Sequence, residues 1–228
     1  MNDTYKNQGV SMKLITKIAA AALMAVSLLA SADDAPRHEA VLDTGKGGLH
    51  IVVSVPNFAQ GPYDFAKNPG PKNNKFDSGA YSEVMYNAPV SDSAVVVYQV
   101  NALSRFVNRK DADPVTPEAL AKGLLKDSGF TMDRAVKIDS PQVGIEGASV
   151  VTYKVSGFGV FNGKEDRFAK DAMIVTAVAL PGQNQGYAIS ARLTEKDIAK
   201  FDADQAKYDK GATRAHNDLY KNSIVKKN

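Results

Sequence analysis

Two long strand-forming runs on either side of Asn162-Gly163 constrain this chain more than any other feature. "ASVVTYKVSGFGVF" leads into the turn and "EDRFAKDAMIVTAVAL" follows it. A type I′ turn needs positive φ at both central residues, which Asn-Gly supplies, so the pair reads as a long β-hairpin. "AMIVTAVAL" is apolar on both faces. So is "SAVVVYQVN" (93–101), with Ala94, Val96, Tyr98 and Val100 on one side and Val95 and Val97 on the other. Strands of that kind lie inside a sheet covered from both sides, so each is expected to be central. Gly157 and Gly159 interrupt the first arm of the hairpin and predict bulges or close backbone approach.

The remaining elements follow from period and punctuation. "LHIVVSV" places Leu49, Ile51, Val53 and Val55 on one face and His50 and Ser54 on the other, a strand ended by Pro56. "YSEVMY" (81–86) is a short β-like run, and "YAISARL" alternates with Tyr187, Ile189, Ala191 and Leu193 inward. "TPEALAKGLLKDSG" reads as a helix. Thr116 caps it, Pro117 suits its first position, Leu120, Leu124 and Leu125 form its buried stripe, and Gly129 ends it. A single long helix is expected from about Glu195 to Lys221, with Thr194 and Asp197 resembling a capping box and Gly211 marking a bend. Its stripe is Ile198, Phe201, Tyr208, Ala212, Ala215 and Leu219. The fold class is therefore α+β, a mainly antiparallel sheet flanked by helices with a long C-terminal helix.

The N-terminus points to export. From Met12 the chain carries Lys13 and Lys17, then an uncharged, mostly apolar run from Ile18 to Ala30. Ala30-Ser31-Ala32 fits the small-x-small cleavage rule, so residues 1–32 read as an extension plus signal peptide starting at Met12 and cleaved after Ala32. The apolar run spans about 20 Å as a helix, short of the ~30 Å hydrocarbon core, so no stable membrane anchor is expected after cleavage. With Cys 0 there is neither a lipid-modified cysteine nor a disulfide. Residues 33–48 read as a flexible lead-in and 49–228 as one α+β domain. The mature chain would hold 25 basic and 24 acidic residues, a net charge of +1, which gives no concentrated basic surface for nucleic acid. A periplasmic or secreted location follows from the leader.

No stretch carries recognisable catalytic chemistry, so no catalytic residue, metal site or cofactor is assigned. His38, His50 and His216 lack metal-binding spacing and read as surface residues. "DTGKGG" superficially resembles a phosphate loop, but Gly47 replaces the Ser or Thr and a strand follows. Glu165, Asp166 and Asp171 read as a solvated hairpin end. The segment from Pro56 to Gly79 is the candidate binding surface. Phe58, Tyr63 and Phe65 stand there among Lys67, Lys72 and Lys75, an aromatic content that disordered linkers lack. It reads as an ordered insertion between early strands of one sheet, and its aromatics suit either binding or packing onto that sheet.

The order of these elements, with "IVVSVPNF", "SAVVVYQVN", "PEALAKGLLKDSGF", "IEGASVVTYKV", "DAMIVTAVAL" and "GYAISARL" before a closing helix running into "NSIV", resembles the PsbP-like superfamily, including its small bacterial envelope proteins of the DcrB type. That resemblance, over roughly Leu49 to Val225, implies an α/β/α sandwich and an accessory or binding role without a shared active site. The leading expectation is an exported, non-enzymatic binding or accessory protein of the bacterial cell envelope, its partner an unknown protein or small molecule. The alternatives are a small periplasmic hydrolase built from scattered Asp, Glu and His, and a self-associating structural envelope protein.

Overall fold

The computed structural model describes residues 37–56, 72–76, 79–105, 114–161, 164–182 and 184–227; side-chain surroundings are described for those outside 72–79 and 159–167. Strands β1 (Arg37–Asp43), β2 (Leu49–Pro56) and β10 (Ile224–Lys227) form a small antiparallel sheet in the order β1-β2-β10. A second, seven-stranded antiparallel sheet has the order β3-β4-β5-β9-β8-β7-β6. Its strands are β3 (Lys72–Phe76), β4 (Gly79–Pro89), β5 (Ala94–Arg105), β6 (Ala135–Ile138), β7 (Ser149–Phe161), β8 (Lys164–Ala179) and β9 (Gln185–Glu195). Three α-helices occur among the described residues: α1 (Pro117–Asp127), α2 (Ile198–Ala203) and α3 (Gln205–Asn222).

The strands that are apolar on both faces occupy central positions, as their sequence requires. β5 lies between β4 and β9, and β8 between β9 and β7. Side chains alternate across a strand, so the two faces of the large sheet hold separate cores. One packs Val151, Tyr153, Val155, Met173, Val175, Ala177 and Ala188 against Ala121, Leu124 and Leu125 of α1. The other packs Val96, Val100, Ala172, Ile174, Val178, Ile189 and Ala191 against Phe201, Tyr208, Ala212, Ala215 and Leu219, together with Leu49, Ile51, Val53 and Val55 of β2. Each fully buried aliphatic side chain contributes about 1.5–3 kcal/mol through removal from water.

The punctuation of α1 is as the sequence predicts. Thr116 accepts a hydrogen bond from the Ala119 N–H at 3.1 Å, and Pro117 opens the helix. At the other end Gly129 takes φ +81°; its N–H reaches Lys126 O at 2.9 Å and the Phe130 N–H reaches Leu125 O at 2.8 Å. This is a Schellman cap, completed by Phe130 and Leu125 in the same apolar cluster.

β7 and β8 pair from Ser149↔Ala179 to Phe161↔Lys164, on either side of Asn162-Gly163, which lie outside the described residues. The register shifts between Phe158 and Gly159, which face Lys170 and Asp166, so residues 167–169 of β8 fall outside the pairing. The irregularity lies where Gly157 and Gly159 predict it.

Four expectations are corrected. Residues 37–43 are a strand rather than part of a flexible lead-in. Ala40 and Leu42 alternate inward there, and β2 supplies the partner edge. The C-terminal helix is two helices broken at Asp204, whose carboxylate takes the Lys207 N–H at 3.1 Å and so caps α3. Gly211 lies buried within an unbroken α3, and the Asp197 side chain caps α2 through the Lys200 N–H at 3.1 Å. Residues 224–227, beyond the predicted helix, form β10, because β2 offers them an open edge. Finally, β2 and β3 belong to different sheets, so the Pro56–Gly79 segment does not join strands of one sheet.

Candidate functional site

Among the described residues, a cleft lies where the small sheet meets the large one. Tyr187 and Ile189 reach it from β9, Tyr220 and Ser223 from the end of α3, and Val225 from β10. The connection between β6 and β7, residues 139–148, closes the far side through Gln142, Val143, Gly144 and Ile145. The cleft comprises two adjoining cavities that share Ile145 and Val225. One, of about 230 Å³, runs toward Tyr220 and Ser223. The other, of about 290 Å³, is lined by Leu49, Leu180, Pro181, Lys226 and Lys227. Small-molecule and peptide sites of about 300–1,000 Å³ with apolar walls and a few placed polar groups have this construction.

The polar groups of the first cavity include three hydroxyls, of Tyr187, Tyr220 and Ser223, and Gln142; Lys226 and Lys227 line the second. The Tyr187 and Tyr220 hydroxyls share a hydrogen bond. Burial pushes both phenols upward from their ordinary range, so both keep their protons near neutrality. Ser223 ends α3, with its N–H on Leu219 O at 3.0 Å, and its buried Oγ has no hydrogen-bond partner among the described residues. One turn earlier, His216 stacks on Tyr220 with ring centroids 6.0 Å apart. Its Nδ1–H donates to Asn217 Oδ1 at 3.3 Å and its buried Nε2 has no partner. Burial lowers the His216 pKa to about 4, so the ring is neutral at physiological pH. The Tyr187, Tyr220 and Ser223 hydroxyls are placed where they can hydrogen-bond a guest in the first cavity.

The sequence-predicted binding residues lie elsewhere. Phe58, Tyr63, Phe65 and Lys67 fall outside the described residues, as do Ala30 and Ala32 of the proposed cleavage site. Lys72 and Lys75 stand on β3 at the edge of the large sheet, in register with Glu83 and Ala80. Of the histidines, His50 is half-buried with Nδ1 3.6 Å from Asp43, and His38 meets Tyr86 edge-on at 5.3 Å. His216 is buried, which corrects its reading as a surface residue. Asp171 is buried too, with Arg192 Nη1 at 3.8 Å, because regular pairing of β8 resumes at Lys170 and carries it under the sheet's cover. The solvated-end reading therefore fails for Asp171. Glu195 is likewise buried, held by the Tyr208 hydroxyl at 2.8 Å and the Asp197 N–H at 2.9 Å. Among the described residues, no three of His, Cys, Asp and Glu gather as a metal site, and no helix is long and apolar enough to cross a membrane. Of the cleft residues, the inward alternation of β9 marks Tyr187 and Ile189; Tyr220, Ser223 and 142–145 carry no such mark.

No protein-family model matches the chain, and no curated protein matches it. Among solved structures, the chain is similar to LpqN, a protein involved in cell envelope biogenesis of Mycobacterium tuberculosis, at 14% identity and a TM-score of 0.34 over 85% of this chain and 94% of that one.

Proposed function

We propose that this is an exported, non-enzymatic binding or accessory protein of the bacterial cell envelope, of PsbP-like architecture, whose ligand occupies the cleft between β9, α3, β10 and residues 142–145. The leader pattern supports export. The α1, sheet and α3 layers support the sandwich. The binding reading rests on one observation: two adjoining cavities with Val143, Ile145, Leu180, Ile189 and Val225 in their walls, the first of which also meets a buried Ser223 hydroxyl, without a partner among the described residues, beside the Tyr187–Tyr220 pair. A protein gains nothing in stability from such a hydroxyl, whereas a ligand that bonds it gains affinity. Methyl-labelled protein titrated with soluble apolar probes tests the reading. Shifts confined to Ile145, Ile189 and Val225 are expected, and their absence with every probe overturns it.

The aromatic and lysine side chains of 58–75 are a second binding surface on this proposal. Replacing Phe58, Tyr63 and Phe65 together by alanine weakens capture of a protein partner without touching the cleft. A self-associating role has one observation of its own, the exposed Val136 and Ile138 on the edge strand β6. A molar mass that rises with concentration in solution would support it, and a strict monomer would remove it.

A further inference from the structure

We propose that the cleft takes a single-chain amphiphile, with an uncharged head bearing hydroxyl or carbonyl oxygens among Tyr187, Tyr220 and Ser223 and an aliphatic chain in the second cavity. This rests on the cleft being the binding site and adds the class of ligand.

The second cavity lies over the inner face of the small sheet. Leu49 pairs with Lys227, and Ile51 with Val225, across the β2–β10 ladder. Residues directly opposite share a face, so Leu49, Ile51, Val225 and Lys227 point inward together. Lys226, opposite His50, alternates to the outer face. Leu180 and Pro181, just past the end of β8, supply the facing wall. Leu49 and Leu180 are both buried, so the floor of this cavity is aliphatic. Lys227 is exposed, and its methylene stem can cover an apolar guest while the ammonium stays in water. At about 290 Å³ the cavity is roughly twice the ~150 Å³ that admits one benzene ring, room for a chain on the order of ten carbons.

The first cavity has a different chemistry. Among the described residues that line it, the hydroxyls of Tyr187, Tyr220 and Ser223 and the Gln142 amide are the polar side-chain groups, and none carries a charge. Both phenols keep their protons, because burial raises them. A hydrocarbon guest here would seal these groups from water and leave the buried Ser223 Oγ still without a partner. An ionised head would lose its hydration with no opposite charge to replace it. An uncharged head with oxygens avoids both costs.

One molecule can use both cavities. Ile145 and Val225 line the two, so head and chain lie end to end across that contact. The reverse orientation would set the chain among the hydroxyls and the head on Leu49 and Leu180.

The test titrates methyl-labelled protein with four monomeric probes: 1-monooctanoylglycerol, 1-monobutanoylglycerol, octanoate and toluene. The first is expected to shift the methyl signals of Val143 and Ile189 in one cavity and of Leu49 and Leu180 in the other. Each CH₂ removed between octanoyl and butanoyl should weaken binding about fourfold. Octanoate, with a charged head, should bind at least about tenfold more weakly at neutral pH. Ser223→Ala should weaken 1-monooctanoylglycerol about fivefold. Octanoate binding as tightly overturns the uncharged head. Equal affinity for the butanoyl and octanoyl compounds overturns the placement of the chain, and an unchanged affinity in Ser223→Ala overturns that of the head. Toluene shifting these signals while 1-monooctanoylglycerol does not overturns the amphiphile class and leaves the binding site standing. Silence from all four probes overturns both.

Discussion

Arg37 grips both carboxylate oxygens of Asp218, at 3.1 and 2.9 Å, and so ties the first described strand to the last helix across 181 positions of sequence. The same guanidinium reaches Ser54 Oγ and Ser54 O, each at 2.8 Å. Asp218 in turn accepts from Asn222 Nδ2 at 3.0 Å. The side chains are 20% and 9% exposed, so removing one partner strands the other in a poorly hydrated place. Arg37→Met should cost about 3 kcal/mol in urea unfolding, while Arg37→Met with Asp218→Leu should recover most of it.

The neutral buried imidazole of His216 makes stability depend on pH. Its folded pKa is about 4 against 6.5 for the ordinary group, so the unfolded chain binds the extra proton first. The contribution is whole above about pH 6.5 and is lost as pH falls toward 4, about 3 kcal/mol in all. His216→Leu should flatten that part of the curve when unfolding is followed from pH 7 to pH 4.

Gly129 closes α1 at φ +81°. An alanine there pays about 1–2 kcal/mol for the left-handed backbone. In a domain of this size Gly129→Ala should lower Tm by about 2–8 °C, read by circular dichroism.

Ser223→Ala separates stability from binding. The hydroxyl is buried without a partner, so its removal should leave Tm unchanged or raise it slightly, a change of about 0–1 kcal/mol. Binding of an apolar probe that shifts the cleft signals should weaken in the same variant by isothermal titration. A large drop in Tm would show that Ser223 serves the fold.

Tyr208→Phe removes the hydroxyl donor to Glu195 Oε2 and leaves a buried carboxylate with the Asp197 N–H. A loss of about 1–3 kcal/mol is expected, read by urea unfolding at neutral pH.

The parts of the fold that were legible in the sequence are those decided locally. β5 and β8 announce their central places because apolar residues fill both of their faces, and α1 carries its own caps. What was not legible depends on a distant partner. "IVKK" is a strand only because β2 has an open edge, and the Arg37–Asp43 stretch has too few apolar residues to show its period without β2. Asp204 breaks the last helix because its carboxylate bonds the backbone ahead of it, a choice any helical Asp resists or takes according to packing. The cleft is less legible still. Tyr187 shows its inward direction, but Ser223 and Ile145 reach it from a helix end and an irregular connection, where no periodicity exists to read.

The small sheet also dictates an order of events. β2 stands between β1, which immediately precedes it, and β10, the last four described residues, with Val52 opposite Ile224 and Leu49 opposite Lys227. During synthesis, Leu49 to Val52 wait with one edge unpaired until residues 224–227 emerge. Completion of the small sheet is therefore timed by those residues. A chain shortened by those residues would carry β2 with its edge bare, a ready template for another molecule's strand.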